Sequence, residues 1–179
     1  MRAVTNSSVL IALSKIGQLS VLSQRFPDGV LLPQAVWQEV VGTGAGQSGA
    51  QEVASASWLI VREVANESLV SLFQMELDAG EAEAIALFSE EPVEAILLDE
   101  KNARRVARRM GLPVLGTVGI LIWAKQTGLI PTLKEQLDAL QTQGQFRLSQ
   151  RIQGYPQRQL DRPRRPDHLS AGSAHIYRD

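Results

Sequence analysis

The sequence contains no cysteine. That excludes disulfides, thiolate catalysis and cysteine-ligated zinc. Histidine is almost as scarce: His168 and His175 are the whole complement, and both fall near the C-terminal end. An imidazole general base in the body of the chain is excluded with it. No apolar run approaches the ~20 residues that a membrane-spanning helix needs. The apolar run Val9-Leu10-Ile11-Ala12-Leu13 is too short for a secretory core, and no cleavage signature follows it. The expected location is the cytoplasm, with no membrane contact. The net charge of −1 gives no overall bias toward nucleic acid. Whatever chemistry the chain performs must rest on carboxylates, hydroxyls and cations.

What is present is globular material. The 179 residues are 44% hydrophobic and 21% charged, enough for one domain with a sizeable core. Charge is unevenly spread. Residues 145–179 hold seven Arg and three acids, a net of +4, which leaves −5 on the rest. The last stretch is also rich in Pro and has no hydrophobic period. The expected organisation is therefore a domain over 1–150 and a basic, disordered tail over 151–179.

Residues 78–111 organise the chain. Asp78-Ala79-Gly80 is a helix-start signal, and the apolar positions Ala82, Ile85, Ala86 and Phe88 predict a helix over 81–88. The unbroken run Ala95-Ile96-Leu97-Leu98 suits a strand buried on both faces. A second helix is expected over 101–110, stopped by Gly111 and Pro113. Acids thus stand at one helix start (Glu81, Glu83) and at the carboxyl end of a buried strand (Asp99, Glu100). Ligands of open α/β sheets bind beyond the carboxyl ends of the strands. Carboxylates gathered there repel one another unless a cation lies between them, and a hard divalent ion such as Mg²⁺ or Mn²⁺ suits oxygen donors. Acids at helix starts are also favoured simply by the helix dipole.

The remainder alternates strand and helix. A strand over 3–5 leads to Asn6, a good helix cap, and a helix through 9–13. A short helix over 19–26 and a strand over 30–32 follow. Pro33 is expected to open a helix over 34–41, with Glu39 near its C-terminal end, where the dipole disfavours an acid. The glycine-rich loop 42–49 lacks a Gly-Lys-Ser/Thr ending and follows a helix, so it is a flap rather than a nucleotide P-loop. Further strands are expected over 58–61, 113–115 and 145–148, and helices over 50–55, 67–77, 118–127 and 132–142. Thr117 arrives at a strand-to-helix junction as a candidate cap. Helix 118–127 carries more apolar surface than a small monomer needs, so a homodimer is expected. The alternation itself argues a parallel sheet with helices on both faces.

Five stretches, taken in order, resemble the PIN domains: Asn6–Leu13, Leu32–Val40, Leu77–Ile85, Leu98–Ala107 and Leu115–Gly119. The resemblance covers about residues 1–150 and is nearest to a prokaryotic subfamily related to VapC-type toxins. It implies an α/β fold, PIN-like, three-layer α/β/α with a central, mainly parallel sheet. It implies an acidic site for Mg²⁺ or Mn²⁺ made by Glu39, Glu81 and Asp99, with Glu83 and Glu100 as neighbouring choices. Asn6 takes the place of the usual first Asp, and Thr117 matches a hydroxyl position near the site. Asn6 can ligate through its carbonyl oxygen but brings no charge. The implied activity is metal-assisted hydrolysis of RNA phosphodiesters by the toxin of a toxin–antitoxin pair, with a small antitoxin protein as partner. Lys101, Arg104 and Arg105, just after Asp99, are the candidate contacts for substrate phosphates. Asn6 also leaves room for a PIN-like module that binds a protein or nucleic acid without turnover. A phosphatase with an aspartyl nucleophile fits less well, because it would want Asp where Asn6 stands.

Overall fold

The computed structural model describes residues 1–44 and 49–143. Five short strands, β1 (Ala3–Thr5), β2 (Val30–Pro33), β3 (Leu59–Arg62), β4 (Ala95–Leu97) and β5 (Val114–Leu115), form one sheet in the order β3-β2-β1-β4-β5. Every pairing is parallel, with Thr5 opposite Leu97 and Ala3 opposite Val30. The chain therefore winds one way from β1 to β3, then crosses back to build β4 and β5. The switch point lies between β1 and β4, where a doubly wound sheet opens its ligand crevice.

Nine α-helices among the described residues connect and cover the strands: α1 (Ser7–Lys15), α2 (Val21–Arg25), α3 (Gln34–Trp37), α4 (Ala50–Ser55), α5 (Glu67–Phe73), α6 (Ala79–Glu90), α7 (Lys101–Arg109), α8 (Thr117–Gln126) and α9 (Leu133–Gln143). Alternate strand residues feed two separate cores, as a sheet buried on both faces requires. Ala3, Val30, Leu32, Ala95 and Leu97 pack with residues of α1, α2, α8 and α9. Val4, Leu31 and Ile96 pack on the opposite face with residues of α6 and α7. The three-layer α/β/α architecture follows directly. The apolar surplus of α8 is largely used at home: Ile120, Leu121 and Ala124 are buried, and Val118, Ile122 and Trp123 pack half-buried against the same core. No helix among the described residues is long and apolar enough to cross a membrane.

The structure corrects several expectations. The helix over 34–41 is α3 continued without a break by a π-helical segment, Gln38–Thr43, and Glu39 lies in that last wide turn, its carbonyl accepting from the Gly44 amide. Pro33 is the last residue of β2 and stands just outside α3, since its fixed φ suits both extended backbone and a helix entrance. The loop expected from Gly42 begins two residues later, because Gly42 and Thr43 still belong to the π-helical turn. Helix α6 starts at Ala79 with Asp78 as its cap, and α5 ends at Phe73 rather than at 77. The strand over 145–148 and the tail over 151–179 lie outside the described residues.

Candidate active site

The carboxyl ends of four adjacent strands deliver the candidate residues in spatial order. β2 leads through α3 to Glu39, β1 ends at Asn6, β4 leads to Asp99, and β5 leads to Thr117. The N-terminus of α6 brings Glu81. The amide of Asn6 donates to the carbonyl of Leu97 at 3.3 Å, which pins the ends of β1 and β4 side by side.

Asn6 is 2% exposed and caps α1. Its Oδ1 accepts from the Ser8 hydroxyl at 3.0 Å and from the Val9 amide at 3.5 Å. The side chain thus holds the helix entrance that the sequence assigned to it, and its oxygen is shared with that task.

Asp99 is gripped by Thr117. The Thr117 amide donates to Asp99 Oδ1 at 2.8 Å, and the Thr117 hydroxyl donates to Oδ2 at 2.5 Å. The expected capping role of the hydroxyl is therefore wrong. Gly116 stands at the cap position without a side-chain cap, and the fully buried Thr117 spends its hydroxyl on the carboxylate instead. Burial pushes the Asp99 carboxyl above its ordinary range. The two Thr117 bonds and the charge of Arg104 pull it back, and Glu100 adds to the rise.

Gly116 shows how tightly this corner is packed. A Cβ there would stand 2.6 Å from Arg104 Nη1 and 2.8 Å from Asp99 Oδ1. The glycine's φ is ordinary at −122°, so close approach rather than backbone conformation demands it. The sequence offered the Gly-Thr pair as a helix start, and the PIN resemblance added Thr117 as a hydroxyl near the site; the close approach that Gly116 permits had no signal there.

Glu81 is buried, 6% exposed, whereas Asp99 is half-buried. It closes a capping box: its backbone amide donates to Asp78 Oδ1 at 2.8 Å, and its Oε2 accepts from the Asp78 amide at 3.3 Å. Burial pushes it up to about 7, and the charge of Asp78 adds to this. Glu100 and Glu39 push in the same direction, against the hydrogen bond to the Asp78 backbone. Glu83, two residues on and so on the other side of α6, faces elsewhere. It accepts from the Ala35 amide at 3.0 Å and so caps α3.

Glu39 is exposed, with Oε2 at 3.6 Å from the point where a Cβ on Gly80 would stand. This puts its carboxylate over the start of α6, next to Glu81. Glu100 is exposed at the cap position of α7. Of the basic trio, Arg104 reaches the Asp99 corner, Lys101 is exposed, and Arg105 makes an exposed ion pair with Glu76 at 3.3 Å.

The structure thus gathers Asn6, Glu39, Glu81, Asp99 and Thr117 at one sheet edge. Among the described residues, no three acidic groups stand close enough to hold a metal ion together as placed. The donor chemistry nevertheless fits a hard divalent cation. All the candidates offer oxygen, and Glu81, raised first by burial and then by the charges of neighbouring acids, is a carboxyl whose ionised form such a cation would stabilise. Glu39, Glu81 and Asp99 are the residues that would hold it, with Asn6 adding a neutral oxygen.

No curated protein matches the chain. The family model of the PIN domain matches residues 2–158. With that match spanning most of the chain, and a parallel five-stranded sheet carrying the acids at its carboxyl edge, the chain belongs to the PIN domain family.

Proposed function

We propose that this chain is a metal-dependent ribonuclease that hydrolyses RNA phosphodiester bonds with Mg²⁺ or Mn²⁺, and that it is the toxin of a toxin–antitoxin pair. PIN domains are typically nucleases and generally use divalent metal ions. The observation that carries the reading is the buried Glu81 at the start of α6, with the Glu39 carboxylate over the same turn, its carboxyl raised to about 7 first by burial and then by neighbouring acids. A protein keeps such an arrangement at a cost in stability, and strongly perturbed carboxyls in a crevice mark functional sites.

A bound divalent ion supplies an acidified water as nucleophile and a countercharge for the transition state. The chain's own residues divide the remaining work. Thr117 fixes both oxygens of Asp99, so that the carboxylate keeps one orientation. The Asp78 capping box does the same for Glu81. Arg104 places positive charge beside Asp99, and Lys101 stands exposed at the first residue of α7, where a substrate phosphate would meet it in this reading. No histidine is required, in keeping with its absence from the described residues. The antitoxin in this reading is a small protein that masks the acidic edge, and the active species is a homodimer.

One observation favours a second reading, a PIN module that binds without turnover. Asn6 contributes no charge, and its oxygen already serves the α1 cap. A single experiment separates the two. A labelled structured RNA is incubated with Mg²⁺ or Mn²⁺ and wild type, Asp99→Asn or Asn6→Asp. Cleavage by wild type that vanishes in Asp99→Asn supports the nuclease. Cleavage by Asn6→Asp alone supports the binding module built on the same site. Inertness of all three folded proteins with both metals overturns catalysis.

A further inference from the structure

Helix α7 holds an uneven share of the chain's positive charge. Outside residues 145–179 the chain carries eleven Lys and Arg against sixteen acids. Five of the eleven, Lys101, Arg104, Arg105, Arg108 and Arg109, fall within this one helix of nine residues, and no acid interrupts them. With about 100° of turn per residue, Lys101, Arg105, Arg108 and Arg109 share an arc of about 100°, opposite the buried Ala103 and Ala107. All four are exposed. Among the described residues, only Arg105 of these four forms an ion pair, with Glu76. That pair is exposed on both sides, and a surface pair of this kind is worth little.

The helix itself gains little from this arrangement. Lys101 with Arg105, Arg104 with Arg108, and Arg105 with Arg109 are like charges four residues apart, which destabilise a helix. Lys101 and Arg104 open the helix, where its dipole disfavours cations, and Glu100 at the cap is the one acid set against them. Only Arg108 and Arg109, in the last turn, suit the dipole. A face that needs only solubility intersperses both signs. Position adds a second observation. α7 begins just after Asp99, at the carboxyl edge of the sheet, and Arg104 Nη1 and Asp99 Oδ1 flank the same point above Gly116. From there the exposed cations run for about 12 Å along the helix, away from the acids.

We propose that the exposed face of α7 is a track for the phosphate backbone of single-stranded RNA, on which Arg105, Arg108 and Arg109 hold phosphates beyond the one cut at the acidic edge. The inference rests on the nuclease reading above and adds how that site holds a longer substrate. The side chains select the ligand. Three of the four exposed cations are Arg, whose planar fork takes phosphate oxygens in pairs. No apolar residue is exposed among them, whereas a protein partner would want an apolar centre to the interface. The stripe is narrow and follows one strand. Contacts to the backbone carry no sequence information, so the track adds affinity and a dependence on substrate length rather than a base preference.

The test uses the full chain. Binding of a short labelled single-stranded RNA is followed by fluorescence anisotropy in chelator, from about 50 to about 200 mM salt. Arg108→Ala combined with Arg109→Ala lowers the slope of log affinity against log salt by about 1.4, two contacts at about 0.7 each. Carried from about 1 M salt down to about 0.15 M, that slope is worth about tenfold in affinity. Arg108→Lys combined with Arg109→Lys keeps the charge and most of the slope. Both positions are exposed, and Ala and Lys favour helix, so both variants fold. With Mn²⁺ present, kcat/KM of the Ala variant falls by a similar factor, through KM; a fall through kcat instead overturns the track. A slope unchanged in the Ala variant, or lost equally in the Lys variant, overturns it. So does polyglutamate that binds as tightly with the same dependence on Arg108 and Arg109, since the face then takes acidic chains in general. Failure of the wild type to bind RNA overturns the track, and cleavage with Mn²⁺ in that case leaves the nuclease standing. Binding that depends on Arg108 and Arg109, without cleavage by either metal, sustains the track and overturns the nuclease.

Discussion

Replacing Glu81 by Gln tests the electrostatics of the site without depending on any substrate. Gln keeps the shape and an acceptor oxygen for the Asp78 amide, so the capping box persists while the charge is gone. In the wild type, burial and neighbouring acids raise Glu81 from 4.5 to about 7. Between those values the folded protein binds a proton that the unfolded chain has released. The stability this confers is fully present below pH 4.5 and is lost as pH rises through about 7. Each pH unit in that interval removes about 1.4 kcal/mol, so the total is about 3 kcal/mol. Groups beyond the reach of the Glu81 charge contribute equally to both proteins and cancel in the difference. The assay is urea denaturation of wild type and Glu81→Gln, in chelator, from pH 4.5 to 8.5. The advantage of Glu81→Gln over wild type should grow by about 3 kcal/mol across the range, with most of the growth below pH 7. Stability curves that run parallel within about 0.5 kcal/mol would refute the reasoning. So would an advantage that shrinks as pH rises. Millimolar Mn²⁺ at pH 8 should then restore much of the wild-type deficit and little of the variant's, because only the ionised site binds a cation.

Thr117→Val removes the hydroxyl from Asp99 Oδ2 at nearly constant volume, and should cost about 1–3 kcal/mol in a denaturant melt, with Thr117→Ser restoring most of it. Gly116→Ala forces a methyl between Arg104 and Asp99 and should cost about 1–3 kcal/mol, with cleavage falling further than stability explains. Glu83→Ala uncaps α3 and should lower stability by about 0.5–2 kcal/mol while leaving Mn²⁺ affinity unchanged, whereas Glu81→Gln should weaken the metal. Lys101→Ala should reduce the slope of log RNA affinity against log salt by about 0.7, the increment for one phosphate contact on a single strand; an unchanged slope would remove Lys101 from the substrate path.

The fold was open to reading because it is built from local signals. Short apolar runs such as Ala95–Leu97, buried on both faces, do not alternate and so announce a parallel sheet. Asn6 and Asp78 announce their helices by capping chemistry alone. Boundaries slipped where geometry departs from the regular pattern. The π-helical turn at Gln38–Thr43 inserts one extra residue, and no sequence period marks it. Thr117 looked like a cap because Thr often caps, yet its partner is Asp99, eighteen residues away. Arg104 and Arg105 are neighbours in sequence, but successive helix positions face different ways: one reaches Asp99, and the other pairs with Glu76. The contact of Gly49 with Ser14 had no signal in the sequence, since the two meet only through the tertiary fold.

By itself, the sequence determined the inventory and the order. Without cysteine or a histidine in the body, it left only carboxylates, hydroxyls and cations to do chemistry. By alternating strand with helix, it placed Asn6, Glu81, Asp99 and Thr117 at strand ends or helix starts, and Glu39 on the helix after the second strand. Tertiary structure alone decided which of these acids are buried and what each touches. The choice between Glu81 and Glu83 illustrates the division. Both are Glu in the first turns of α6, yet one faces the crevice among other acids and the other turns to the Ala35 amide. The physical reason is that burial and charge repulsion are properties of distances between elements, and a sequence fixes those distances only through the packing of the whole chain.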